Sequence, residues 1–477
     1  MASIDLSSIN LINGGLDVQT IVDNLITVAH QPIDRLQQQN TASQNKITAY
    51  QTLNTKLLAL KTSVENLLYH GGDVPLSPPS SFTDRLNGSI LALRKATSSN
   101  ENVVTATAAQ GMATGSFTIE ITKLAKFDTF TSNNFASYTE TETKTGSLVI
   151  QKGTDEPVTI TIDDTNNTLE GIKNAINYAN AGFTASILND GSGTPYRLMI
   201  TSNDSGTANA LAITNNLTEG SGASLTLSET TPADDAALQI NGIDITSSSN
   251  TVANAIEGMT FDLKAESGTA VVKVDRDIDS IVAGFQDFVT KYNDAASYIS
   301  SQSTYNTTTK SAGILSGDFT LREARTQITS ALTQSVSLSG CSLSVLSQLG
   351  FRLANNGTLS LDETKLRDEL STNFNDTAHL LLDDGLDSEG NSVSLIPRLE
   401  SQLKNLTDTV DGPIFLATGA VQQNIARTND LITQMEQRLE TQRALLITEY
   451  SQADYALRQL TVLESSLNNQ MATLSSM

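Results

Sequence analysis

Side chains that could do chemistry are few in this sequence, and they are scattered. His30, His70 and His379 stand far apart, and none has the i, i+4 companion of a helical metal site. Cys341 is the single cysteine, so no intramolecular disulfide can form. Its setting, Ser339-Gly340-Cys341-Ser342-Leu343, brings no histidine to activate it, and it reads as a small half-buried residue. Asp383, Asp384, Asp387 and Glu389 gather around Gly385 and Gly390 and raise the question of a calcium loop. Counting a first aspartate as position 1, no glycine falls at position 6 and no glutamate at position 12, so the segment reads as a solvated turn. The pairs Asp163-Asp164 and Asp234-Asp235 fall in expected turns and receive no acid/base role. Gly191-Ser-Gly193 and Gly220-Ser-Gly222 lack the strand-then-helix setting of a phosphate cradle, and no nucleophile elbow, P-loop or dinucleotide fingerprint is present. The expectation is therefore no catalytic residue, no metal and no cofactor. The one test that would reopen an enzyme reading is a deep pocket with convergent carboxylates.

Charge narrows the partners. Against 52 Asp plus Glu stand 29 Lys plus Arg, a net −23 over 477 residues. That balance repels a phosphate backbone and an anionic membrane surface alike. Only 17% of residues are charged and 38% hydrophobic, with no tryptophan; several modest cores fit this better than one large core. No run approaches the ~18 apolar residues of a membrane span. Met1 to Asp17 lacks the basic start and compact apolar block of a cleavable secretory signal.

With chemistry sparse, the strongest signal is helical periodicity at the two ends. Tyr50, Leu53, Leu57, Leu60, Val64 and Leu67 are spaced 3, 4, 3, 4, 3, the a/d stripe that a coiled coil buries. Leu446, Tyr450, Ala453, Leu457 and Leu460 are spaced 4, 3, 4, 3, and the stripe runs on through Leu467, Met471 and Leu474. Either stripe could pair within the chain or with another copy. The polar run Gln37 to Asn45 divides the first helix from an earlier one holding Ile21, Leu25 and Ile26, and Pro32 is expected to kink or restart it. Gly71, Gly72, Pro75, Pro78 and Pro79 close the helical section.

The middle changes period. Phe117, Ile119 and Ile121 alternate with polar residues, as do Val158, Ile160 and Ile162. Leu238 to Ile245 reads as a hairpin turning on Asn241-Gly242. Phe261-Leu263 and Val272-Val274, joined across Ser267-Gly268, read as a second. Asn167 is expected to cap a short helix in which Leu169, Ile172 and Ile176 share a face. Asn203 to Asp235 reads as exposed loops. Helix returns at Asp277, where Ile278, Ile281, Val282, Phe285, Phe288, Val289, Tyr292 and Ile299 follow core-facing spacing. After a break near Gly313 and Gly317 come short helices and a strand at Thr358 to Leu361. The fold class is thus α+β multidomain, a helical frame with β-rich material nested inside it.

Ordered segments along nearly the whole chain resemble the flagellar filament cap family, also called hook-associated protein 2. They include Gly15-Leu16-Asp17, Gln31-Pro32-Ile33-Asp34-Arg35-Leu36, Ala49-Tyr50-Gln51-Thr52-Leu53, Gly115-Ser116-Phe117-Thr118-Ile119, Gly258-Met259-Thr260, Phe288-Val289-Thr290-Lys291-Tyr292-Asn293, Leu315-Ser316-Gly317-Asp318 and Gly357-Thr358-Leu359-Ser360-Leu361-Asp362. Gly14 departs from the family's usual small hydroxyl residue, Cys341 is not a hallmark, and Asp204 to Ala236 has no clear match. The resemblance implies a terminal coiled-coil region at 1–42 and 440–477 and a helical leg domain at 43–72 and 275–439. It further implies an inner β-domain at 73–137 and 237–274 and an outer one at 138–236. It implies a non-enzymatic role in filament assembly: a homo-oligomeric ring of a few subunits at the distal tip, outside the cell, inserting flagellin. The implied partners are flagellin, the hook-filament junction protein and a type III export chaperone, with export by the flagellar type III route and no cleaved signal. The thirteen stripe residues from Tyr50 to Leu474, Ala453 excepted, would be the assembly contacts. A filament or junction structural protein and a surface adhesin are the alternatives.

Overall fold

The computed structural model describes residues 11–12, 15–71, 79, 81–306, 311–336, 341–383, 385 and 393–474. The chain divides into two compact units, residues 1–68 with 284–477, and residues 69–283.

The first unit is helical. Its helices are α1 (Val18–Leu68), the later turns of α4 (Ile278–Ser303), α5 (Phe319–Thr333), α6 (Glu363–Thr372), α7 (Phe374–Leu382), α8 (Leu395–Leu406) and α9 (Pro413–Leu474). Leu53, Leu57, Leu60 and Val64 of α1 are fully buried in its core, as are Leu366, Leu370, Leu403 and Leu406. Phe285 and Phe288 of α4 meet Phe351 edge-on, with ring centroids 5.7 and 6.5 Å apart. Phe351–Leu353 pairs with Leu359–Leu361 as a short hairpin, after which the Asp362 side chain accepts the Lys365 amide and starts α6.

Two expectations change here. Helix α1 does not restart at Pro32: it is one helix of 51 residues, and the polar run 37–45 lies within it. Proline removes a single amide, and the carbonyl it leaves without a helical donor belongs to Val28, which is 38% exposed. The polar run 37–45 likewise does not divide two helices, and α1 and α9 run unbroken through positions 42/43 and 439/440.

The second unit holds two β-rich clusters, besides the short helix α2 (Phe82–Gly88). In one, an antiparallel sheet runs in the order Ile243–Ser247, Ala236–Ile240, Gly115–Lys123, Gly268–Arg276, Arg94–Ser98. It packs on a second sheet of Thr251–Ala253, Met259–Leu263 and Val104–Ala108. Ile119, Leu238, Val272 and Val274 from the first sheet meet Val104, Met259 and Phe261 from the second. The Asn241-Gly242 hairpin forms as read: Ile240 faces Ile243, and φ is +51° and +81° at the two turn residues, as a type I′ turn requires.

The Phe261/Val272 hairpin does not form. The two strands belong to different sheets: the Lys264 amide donates to the Val103 carbonyl at 2.8 Å, extending the pairing of Met259–Leu263 with Val104–Ala108, before the chain passes to the other sheet at Gly268. Both strands alternate toward the same core, so their pattern cannot distinguish partners beside each other from partners facing each other.

The other cluster has a sheet in the order Leu227–Thr231, Phe127–Ser132, Tyr196–Ser205, Phe183–Asn189 and a second of Leu211–Glu219, Thr145–Lys152, Val158–Ile162. Helix α3 (Leu169–Ala179) buries Leu169, Ile172 and Ile176 completely in its core. Its cap is Thr168, whose hydroxyl accepts the Gly171 amide at 3.1 Å, one residue after the expected Asn167. The Asn167 carbonyl is engaged by the Thr143 amide at 2.6 Å and the Thr143 hydroxyl at 3.0 Å. The span read as exposed loops contains the strands Leu211–Glu219 and Leu227–Thr231. The strand Phe127–Ser132 and the buried Phe135 already belong to this cluster, so the chain enters it before residue 138.

Candidate assembly surface

Helices α1 and α9 pair along the first unit, and three contacts set their register. The Leu16 amide donates to Asp454 Oδ1 at 2.6 Å, Arg443 Nη2 to Asp23 Oδ1 at 2.8 Å, and Asn40 Nδ2 to Asn429 Oδ1 at 2.6 Å. Numbers rise along one helix as they fall along the other, so the pairing is antiparallel. Asp454 also accepts Arg458 Nε at 2.8 Å. That hydrogen bond, followed by the Leu16 amide, holds its carboxyl below the usual carboxylate range.

The two stripes meet different fates. Tyr50, Leu53, Leu57, Leu60, Val64 and Leu67 are all buried within the unit, where α1 packs on α8 and α9. Burial draws the Tyr50 hydroxyl inward, and it donates to Asp318 Oδ2 at 2.5 Å; burial, then that carboxylate, pushes the phenol pKa up. These six side chains have no surface left for another chain.

On α9, Leu446 and Tyr450 are half-buried beside the pairing with α1. Past Asp454 the helix continues with Leu457, Leu460, Leu467 and Met471 exposed by 38, 62, 54 and 68%. The side chain of Leu474 lies outside the described residues. Tyr455, Val462 and Leu463, which fall off the heptad stripe and so escaped the sequence reading, are 60 to 70% exposed beside them. Their apolar types were the available signal; a stripe template skips them.

Residues 455–474 carry only two charges, Arg458 and Glu464. A helical stretch of about 20 residues without tertiary packing is marginal in water, because most helical stability in proteins comes from a buried face. These apolar side chains cluster on a stretch of helix that the described residues leave uncovered.

Other groups that could do chemistry serve the fold instead. His30 and His379 do have i, i+4 partners, Asp34 at 2.9 Å and Asp383 at 2.8 Å; a search for second metal ligands passes over such pairs. Among the described residues no group of three or more His, Cys, Asp or Glu is placed to hold a metal ion. Asp384, Asp387 and Glu389 lie outside the described residues. The Cys341 thiol is half-buried, 3.2 Å from the Leu343 carbonyl, and burial pushes its pKa up, away from thiolate reactivity. Asp163 closes a turn on the Thr165 amide and hydroxyl, Asp234 pairs with Lys123, and Asp235 accepts the Thr207 amide and hydroxyl. A cavity of about 240 Å³ opens between α1, α4, α5 and the Leu353–Gly357 turn; its lining holds Arg325 and no carboxylate. No described helix is long and apolar enough to cross a membrane.

Comparison with known proteins places the whole chain. Residues 14–128 match the family described as Flagellar hook-associated protein 2 N-terminus, and residues 233–462 match Flagellar hook-associated protein 2 C-terminus. Residues 147–204 match the Flagellin hook IN motif. The chain is 30% identical to Flagellar hook-associated protein 2 of Escherichia coli O157:H7, over 98% of each chain. It is 26% identical to the B-type Flagellar hook-associated protein 2 of Pseudomonas aeruginosa, over 81% of this chain and 85% of the other. Among solved structures, the D1-D2-D3 domains of the flagellar cap protein FliD from Escherichia coli superpose with a TM-score of 0.59 at 30% identity. That match covers 78% of this chain and 99% of the other.

Proposed function

The chain belongs to the flagellar hook-associated protein 2 family, and from that premise we propose that it caps the distal end of a flagellar filament. The family is a structural one. Several copies associate into a ring at the growing tip, retain emerging flagellin and promote its folding and insertion. The observation that carries this reading is the exposed apolar end of α9, residues 455–474, beyond its pairing with α1. A surface built to be covered, and nearly free of charge, suits contacts with helices that arrive and are replaced.

In this reading the terminal region near 1–42 and 440–477 meets flagellin or neighbouring copies. The helical remainder, 43–72 and 275–439, is the leg. The β-rich clusters form the plate, which includes the match to the Flagellin hook IN motif at residues 147–204. The hook-filament junction protein and an export chaperone are the further partners, and the flagellar type III channel is the route out of the cell.

Replacing Leu457, Leu460 and Leu467 with aspartate tests the reading in a strain that lacks the native gene. Short or absent filaments, with the variant chain exported and folded, support it. Filaments of wild-type length would remove the α9 end from the mechanism.

A further inference from the structure

Two features of the helical unit carry apolar side chains beside charges of opposite sign. The first is the corner between α8 and α9. There Val410, Phe415 and Leu416 are exposed by 68, 52 and 57%. Asp408 fixes the corner by accepting the Val410 and Asp411 amides at 2.7 and 2.9 Å. The Asp411 carboxylate forms no ion pair or hydrogen bond among the described residues. The corner is thus an apolar peg with an uncompensated negative charge at its base.

The second is the 240 Å³ cavity, which shares no residue with that corner. Its walls include Leu60, Tyr292, Ile299 and Ile328, all buried, and Ala295. Ser300, Thr329, Asn355 and Asn356 also line it, and the volume is room for a large side chain. At the rim stands Arg325, whose guanidinium likewise forms no ion pair or hydrogen bond among the described residues. This is a socket with an apolar floor, polar groups around it and a positive charge at its mouth.

The occupant is a second copy of this chain. With 52 acidic residues against 29 basic ones, most of any copy's surface repels another, so contact must gather where a cation is presented. A peg and a socket made of different residues form a head-to-tail contact, the type that closes into a ring; a self-complementary patch would stop at a dimer. We infer that Phe415 of one copy enters the socket of the next and that Asp411 pairs with its Arg325. The inference rests on the ring proposed above and names its contact.

The test uses the purified full-length chain. Sedimentation should show Arg325→Asp and Asp411→Arg each weakening self-association by at least about tenfold, with the double charge swap recovering most of it. Independently, Cys341→Ser chains carrying Leu416→Cys should link to Cys341→Ser chains carrying Asn356→Cys when a short bismaleimide is added. Single variants that associate like the wild type, with no such link, would overturn the inference and leave the ring standing. A wild-type chain that stays monomeric at every concentration would overturn both.

Discussion

The Leu16 amide and the Asp454 carboxylate, 438 residues apart in sequence, meet at 2.6 Å and mark where the paired helices α1 and α9 part company. Before Asp454, α9 packs against α1; after it Leu457, Leu460, Val462, Leu463, Leu467 and Met471 are exposed to solvent. A buried stripe and an exposed stripe of the same period therefore sit in one helical unit.

That division predicts opposite responses to the same substitution. Leu57→Ala, at a fully buried position, should cost about 2–5 kcal/mol through lost transfer energy and the cavity left behind. Leu460→Ala should change stability by no more than about 0.5 kcal/mol. Urea denaturation followed by circular dichroism measures both.

Acid should loosen the α1/α9 end. The Asp454 carboxyl is depressed in the folded chain by Arg458 and then by the Leu16 amide, so its contribution is present above the ordinary aspartate value of about 3.9. It is lost as pH falls below that value through the lowered folded one. The Leu16 amide resonance should move toward its unbonded position over that range in the wild type, and should already sit there at pH 7 in Asp454→Asn. An unchanged resonance in the variant would remove this bond from the account.

Arg398 ties α8 to the end of α5. Its guanidinium, 8% exposed, donates to the carbonyls of Ala331 at 2.8 Å, Gln334 at 3.1 Å and Val393 at 3.1 Å, and burial pulls its pKa down. Arg398→Met keeps the bulk but strands those carbonyls, and should cost about 2–4 kcal/mol. Calorimetry should show the melting temperature fall by several degrees.

Two glycines separate conformational strain from collision. At Gly242, φ is +81° with nothing within 4 Å of an added Cβ, so Gly242→Ala should cost about 1 kcal/mol. At Gly146, φ is +140° and the new Cβ would lie 2.2 Å from the Asn216 carbonyl oxygen, so Gly146→Ala must displace the strand Leu211–Glu219. Gly146→Ala should melt well below Gly242→Ala.

Local rules were legible in the sequence where a single residue type fixes the outcome. Asn241-Gly242 demanded a turn and made one; Leu169, Ile172 and Ile176 demanded one buried face and share it. Legibility ended where tertiary context decides. Pro32 stays inside α1, and Val28, whose carbonyl it leaves without a helical donor, is 38% exposed, which no spacing reveals. Leu211, Ile213 and Leu217 do alternate, but the small polar residues between them hide the strand until Thr145–Lys152 is placed beside it. The exposed end of α9 was half legible. The heptad stripe named Leu457, Leu460, Leu467 and Met471, while the coverage of Tyr50 to Leu67 by the same chain depends on helices far away in sequence.

The most direct measurement is deletion of the gene with filaments counted by electron microscopy and flagellin assayed in the medium. The account predicts cells with few or no filaments and monomeric flagellin lost to the medium, both reversed by restoring the gene. Filaments of normal number and length in the deletion strain would contradict it.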